Sequence, residues 1–160
     1  MNRASGLFVV VFALVAVVAE VRADDSANVS AIGEPSGNSA LDEARQAIKA
    51  KDWNKALAKL NLALTAEPRN ADVHNLLGYS YRKQISPDLP KALEHYNMAL
   101  KLDPRHKGAH EYIGEALLMD KKPLEAEKHL ALLEVICGSK TCEEYANLAR
   151  AIAAYKAQNK

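Results

Sequence analysis

The stretch "DWNKALAKLNLALTAEPRN", Asp52 to Asn70, returns further along the chain as "DLPKALEHYNMALKLDPRH", Asp88 to His106. A looser third copy, "KKPLEAEKHLALLEVICGS", runs from Lys121 to Ser139. Ala56, Ala92 and Ala126 correspond, as do Leu60, Tyr96 and Leu130. Ala63 and Ala99 align with Leu133, and Pro68 and Pro104 align with Gly138. The spacings are 36 and 34 residues. A period near 34 residues is that of a stacked helix–turn–helix unit, in which each unit buries its apolar face against the next.

The segments that precede these copies align as well. "ADVHNLLGYSYRKQ" matches "KGAHEYIGEALLMD", with His74 over His110, Gly78 over Gly114 and Tyr81 over Leu117. "NSALDEARQAIKAK" is the looser first copy, with Ala44 at the glycine position. Two antiparallel helices that pack closely need small residues where their backbones approach. Gly78 and Gly114 meet that need on one helix, and Ala56, Ala92 and Ala126 on the other. Asp52 and Asp88 have the side chain of an N-cap, and Pro90 and Pro123 suit a first turn. Pro68 and Pro104 stop the second helix of each unit.

Downstream, "TCEEYANLARAIAAYKAQNK" reads as one further helix. Thr141 and Glu144 form a T-x-x-E capping box. Tyr145, Leu148, Ala149 and Ile152 fall on one apolar stripe, while Glu143, Asn147, Arg150 and Lys156 occupy other faces. A solenoid closes its last open apolar face with such a helix.

These residues resemble tetratricopeptide repeats. The likeness rests on the small residue in the first helix, the two alanines and the large apolar residue of the second, and the proline that follows. It covers roughly residues 37 to 140, and departs from the pattern at two extra residues in "ISPDLPKA". The fold it implies is all-α: a right-handed α-solenoid of about three helix hairpins (37–70, 71–106 and 107–140) with a capping helix over 141–157. The resemblance also implies a groove lined by the first helix of each unit. Carried onto this chain, the lining residues are Leu41, Arg45, Ile48 and Lys49; Asn75, Tyr79, Arg82 and Lys83; then Glu111, Glu115, Leu118 and Met119. Such a groove is basic over two units and acidic over the third, with Tyr79 and Met119 as apolar anchors. It suits an extended or helical peptide of mixed charge. The clamp by which some relatives grip a peptide's terminal carboxylate is missing, since its positions hold Leu41, Arg45, Leu76, Gly108 and Tyr112.

The N-terminus has Arg3, an unbroken apolar run from Leu7 to Val18, and small residues at Val21 and Ala23. That is the layout of a secretory signal peptide over 1–23. Twelve apolar residues fall short of the roughly 20 that a spanning helix needs, so no stable membrane insertion is expected after cleavage. Residues 24–38, rich in Ser, Gly, Asn and Ala, read as a flexible linker. Cleavage removes Arg3, Arg22 and Glu20, which takes the net charge from +1 to neutral. A neutral chain offers no electrostatic footprint for nucleic acid. The expected location is secreted or periplasmic.

Cys137 and Cys142 are the only two cysteines. Their spacing is not that of a thioredoxin-like pair, and no second pair completes a zinc site. They sit where one helix ends and the capping helix begins, within disulfide reach in an exported protein. A structural disulfide is the first reading, and a thiol-redox or metal-binding pair the alternative. Of the five histidines, His106 and His110 have helical ligand spacing. His110, however, repeats His74, which points to packing; His106 falls in the turn after Pro104, and His95 and His129 read as solvent-facing. No histidine metal site, cofactor or catalytic constellation is expected, since no G-x-S-x-G elbow or phosphate-binding glycine loop is present. The expected function is therefore that of a non-catalytic scaffold for a protein or peptide partner in envelope assembly or maturation, with self-association as a further possibility.

Overall fold

The computed structural model describes residues 37–159. The expected leader over 1–23 and most of the linker expected over 24–38 lie outside them, but the linker's last two residues, Gly37 and Asn38, open α1 instead. The described chain is a series of seven α-helices: α1 (Gly37–Lys49), α2 (Trp53–Ala66), α3 (Ala71–Lys83), α4 (Leu89–Leu102), α5 (Lys107–Met119), α6 (Pro123–Cys137) and α7 (Glu143–Gln158). No strand occurs among the described residues. Helices α1 and α2, α3 and α4, and α5 and α6 form three antiparallel hairpins, and α7 packs on both α5 and α6. No helix of the described residues is long and apolar enough to cross a membrane.

The helix starts are local chemistry. Asp52 and Asp88 cap α2 and α4 by accepting from the backbone N–H groups of Lys55 and Lys91, at 3.0 and 3.1 Å. Asn70 caps α3 in the same way, and His106 caps α5 through Nδ1. His106 thus stands at the end of the turn after Pro104, outside the helix, and serves as the cap of α5. The capping box at Thr141 does not form. The Thr141 hydroxyl pairs with Ser139 Oγ, and Cys142 is the N-cap of α7, without a side-chain bond. Cys142 is tied to Cys137 across the turn, with Cα atoms 6.2 Å apart, so the N-cap of α7 is bonded to the last residue of α6. Gly138 ends α6 in the left-handed region at φ 68°, as its position demands.

The hairpin turns show why the second unit carries two extra residues. In units one and three, the residue before the N-cap is left-handed: Lys51 has φ 58° and Lys121 φ 59°. Each is followed by the same return bond, Asp52 N–H to Ala47 O and Lys122 N–H to Leu117 O. The aligned residue in unit two is Pro87, whose ring forbids positive φ. The chain therefore takes a longer path, and Asp88 N–H reaches back to Tyr81 O.

The interior has two clusters. One is built on Ala40, Leu41, Ala44, Leu60, Ala63, Val73 and Leu77. The other gathers Ala92, Tyr96, Ile113, Leu117, Leu133, Leu148 and Ile152. Tyr81 packs against both. A Cβ at Gly78 would lie 2.6 Å from the Tyr96 ring and 2.9 Å from Ala92 O, so this glycine is the condition for the close approach of α3 and α4. At Gly114 the close neighbour is not α6, its hairpin partner, but Leu148 of α7, at 2.5 Å. The capping helix thus supplies over Gly114 the bulk that Tyr96 supplies over Gly78.

His95 and His129 are not solvent-facing. Each is half-buried, with its ring against the repeat-equivalent His74 or His110 of the neighbouring helix, at centroid distances of 5.4 and 5.2 Å. Each precedes the large residue that faces the seam, Tyr96 or Leu130, and this carries its ring to the edge of the facing helix.

Candidate functional site

The twelve positions named above do not share one open face: Leu41 and Leu118 are buried in the two core clusters and Ile48 packs against the first. Arg45 and Lys49 are exposed. Arg45 leans on Asp42 at 3.3 Å and on Asp72 of α3 at 3.6 Å. Asp72 in turn meets His106 Nε2 at 3.0 Å, so a polar chain links the starts of α3 and α5.

The centre of the face is aromatic. Tyr79 and Tyr112 lie 4.8 Å apart by ring centroid, and Trp53 meets Tyr79 edge-on at 6.0 Å. The Arg82 guanidinium sits 5.5 Å from both tyrosine rings, a cation placed against two negative π faces. Lys83 reaches the Tyr79 ring from the outer side at 5.7 Å. Arg82 itself is buried; its Nη2 lies 2.6 Å from Glu115 Oε2, and its Nε donates to the Tyr96 hydroxyl at 3.2 Å. Burial opposes its charge, but Tyr96 and Glu115 together hold its pKa above the ordinary value. Burial also raises the phenols, that of Tyr112 to about 12, so this surface presents neutral hydroxyls.

Glu111 and Asn75 are buried rather than open to the groove. Glu111 Oε1 accepts from Asn147 Nδ2 of α7 at 3.0 Å. Burial, with Glu115, Glu144 and Glu143 nearby, raises the Glu111 carboxyl to about 7. Asn75 packs its amide nitrogen against Gly108, and its Oδ1 has no protein partner among the described residues. Met119 and Lys83 remain exposed, Tyr79 and Glu115 half so.

A cleft of about 310 Å³ opens beside this cluster, lined by Arg82, Glu115, Leu118, Met119, Ala151, Ala154, Tyr155 and Gln158. Its far wall is α7, so the capping helix also finishes the groove. A larger concavity, about 400 Å³, lies over the hairpin turns between Lys51 and Ser86 and includes none of the twelve positions. Among the described residues, one grouping of three Cys, His or carboxylate ligand atoms is close enough to share an ion: Cys137, Cys142 and Glu144. Its two sulfurs are bonded to each other.

Residues 41–104 and 88–138 match a family model described as tetratricopeptide repeat. The chain belongs to the tetratricopeptide repeat family. No curated protein matches it. Among solved structures it is similar to the TPR2B domain of yeast Sti1 in complex with pHsp70, at 16% identity and a TM-score of 0.68, over 76% of this chain and 97% of that one. It is similar to the Arabidopsis OM64 TPR domain at 16% identity and TM-score 0.66, covering 75% of this chain and 96% of that one. The first TPR of Spaghetti (RPAP3), bound to the HSP90 peptide SRMEEVD, shares 18% identity at TM-score 0.66, over 78% and 95% of the two chains. These tetratricopeptide-repeat structures share the fold with this chain, and two of them are complexes, one with pHsp70 and one with the HSP90 peptide SRMEEVD.

Two features of the site were not read from the sequence. The first is the burial of Arg82 and Glu111, which depends on α7 and on Tyr96. The second is the bond from Asn147 to Glu111, since Asn147 reads as one of several polar residues on the outer face of α7.

Proposed function

We propose that this protein is a non-catalytic, exported interaction scaffold that holds a partner segment against the inner faces of α1, α3 and α5. The observation that carries this reading is the Tyr79–Arg82–Tyr112 cluster at the edge of the α7-walled cleft. Rigid aromatic faces around a fixed cation, next to an apolar cleft, are the makings of a hot spot. Tyr79 and Met119 offer contact area, and Lys83, Arg45 and Lys49 attract acidic side chains. Peptide binding by two of the tetratricopeptide-repeat structures above supports the same reading. The leader-like N-terminus and the Cys137–Cys142 disulfide favour an oxidising compartment. A periplasmic role in envelope assembly or maturation is consistent with both.

The test is selection of peptides from a display library on the mature protein, followed by affinity measurement with Tyr79→Ala and Met119→Lys. Both side chains are partly or fully exposed, so the unfolding midpoint serves as a control. Each substitution is expected to weaken binding roughly tenfold, the scale of a single hot-spot contact. Unchanged affinity in both variants would reject the groove.

A further inference from the structure

Two histidine pairs recur at equivalent places in the second and third units. His74 Nδ1 faces His95 Nδ1 at 3.2 Å, and His110 Nδ1 faces His129 Nδ1 at 3.0 Å. The far nitrogen of each inner histidine is fixed as well. His74 Nε2 lies 3.2 Å from Pro68 O, and His110 Nε2 lies 3.1 Å from Pro104 O. A carbonyl only accepts, so both Nε2 atoms carry the proton and donate. The Nδ1 lone pairs of His74 and His110 therefore point at their partners. With the inner rings neutral, the proton shared across each gap is the one on His95 or His129 Nδ1.

This is the preparation that metal-ligating histidines receive. A backbone carbonyl holds the distal N–H, which fixes the tautomer, orients the ring and raises the basicity of the ligating nitrogen. The spacing fits as well. Two imidazole nitrogens each about 2.0–2.1 Å from a tetrahedral zinc ion are separated by about 3.3 Å, close to the 3.2 and 3.0 Å separations of the two pairs. Burial holds His95 and His110 below the usual imidazole range and brings His129 to about 4. Burial at these three rings favours the uncharged imidazole, the form that can ligate a metal.

We infer that each pair is a two-histidine site for a divalent transition-metal ion of the zinc type, His74 with His95 and His110 with His129, water completing the shell. Both sites lie within a hairpin, tying α3 to α4 and α5 to α6. They are separate from the groove, and the inference does not depend on the groove reading.

The experiment is a titration of zinc chloride into the oxidised mature protein near neutral pH, read by calorimetry and by imidazole nitrogen-15 chemical shifts. Two equivalents are expected, with shifts at the Nδ1 atoms of the four paired histidines. His95→Gln and His129→Gln should each remove one equivalent of saturable uptake, and the double variant both. Glutamine keeps an amide N–H for the Nδ1 of His74 or His110, and a thermal melt of each variant verifies the fold. Absence of saturable uptake by the wild-type protein, or undiminished uptake by the double variant, would show that the pairs only share a proton.

Discussion

Arg82 Nη2 lies 2.6 Å from Glu115 Oε2, while Nε of the same guanidinium donates to the Tyr96 hydroxyl. One buried cation thus joins α3 to α5, in the next hairpin, and to α4, its partner within the hairpin. Removing Glu115 leaves that cation buried with only one acceptor. Glu115→Ala should cost about 3 kcal/mol in urea unfolding. The double substitution Arg82→Met/Glu115→Leu should lose less than Glu115→Ala alone, because it leaves no unpaired charge. A double variant that loses the sum of its two single effects would show that the pair is not coupled.

Glu111 makes the stability of the chain depend on pH. Its carboxyl is raised by burial from 4.5 to about 7 in the folded state, so folded protein holds a proton that unfolded protein releases. Protonated Glu111 is the favoured buried form. Stability therefore falls as pH rises from about 4.5 to about 7, then levels off, with an amplitude on the order of 2 kcal/mol. Glu111→Gln should flatten this segment of the profile and be the more stable protein at pH 8. Denaturant titrations of both proteins at pH 5 and pH 8 measure the difference, and parallel profiles would exclude Glu111 as its source.

Lys51 and Lys121 hold left-handed backbone that favours glycine. Both side chains are exposed, so little packing is lost on truncation. Lys51→Gly and Lys121→Gly should each stabilise the fold by about 0.5–1 kcal/mol. Pro87 occupies the aligned place in the longer second turn, and Pro87→Gly should give no such gain. Thermal melts of the three variants provide the comparison.

The Cys137–Cys142 bond closes a short loop, with a sequence separation of 5. In the chain-entropy view, a loop of that size contributes about 2 kcal/mol. Cys137→Ser/Cys142→Ser should lose about that much, with the loss appearing first as exchange of the α7 amides. Thiol titration of the denatured wild-type protein should find no free thiol. Retained partner binding by the serine variant would set a thiol-redox role aside.

Much of this molecule is legible along the chain because its interactions repeat. Ala56, Ala92 and Ala126 mark the tight seam, Gly78 faces it, and acidic N-caps start α2 and α4. These are local needs of one helix pair, met again wherever the pair recurs. That Arg45, Tyr79, Arg82, Glu115 and Met119 line one groove was implied by the resemblance to tetratricopeptide repeats; helical spacing alone places each unit's set on one side of its own helix. The histidine pairs left a trace, since His74 and His110 are equivalent and so are His95 and His129. What was not readable was that the two sets point at each other, because nothing in either helix alone says which rotamer the facing helix admits.

By itself, then, the sequence determined the hairpins, the caps of α2 and α4, the stops after α2 and α4 and the small residues at the seams. These follow from backbone preference and period, which act over one or two turns. Only the tertiary structure decided that Arg82 and Glu111 lose their water, that Leu148 fills the space over Gly114, that Cys142 rather than Thr141 is the N-cap of α7, and that the histidines meet in pairs. Each depends on side chains brought together from different helices, where burial and the dielectric of the packed interior set both partner and charge.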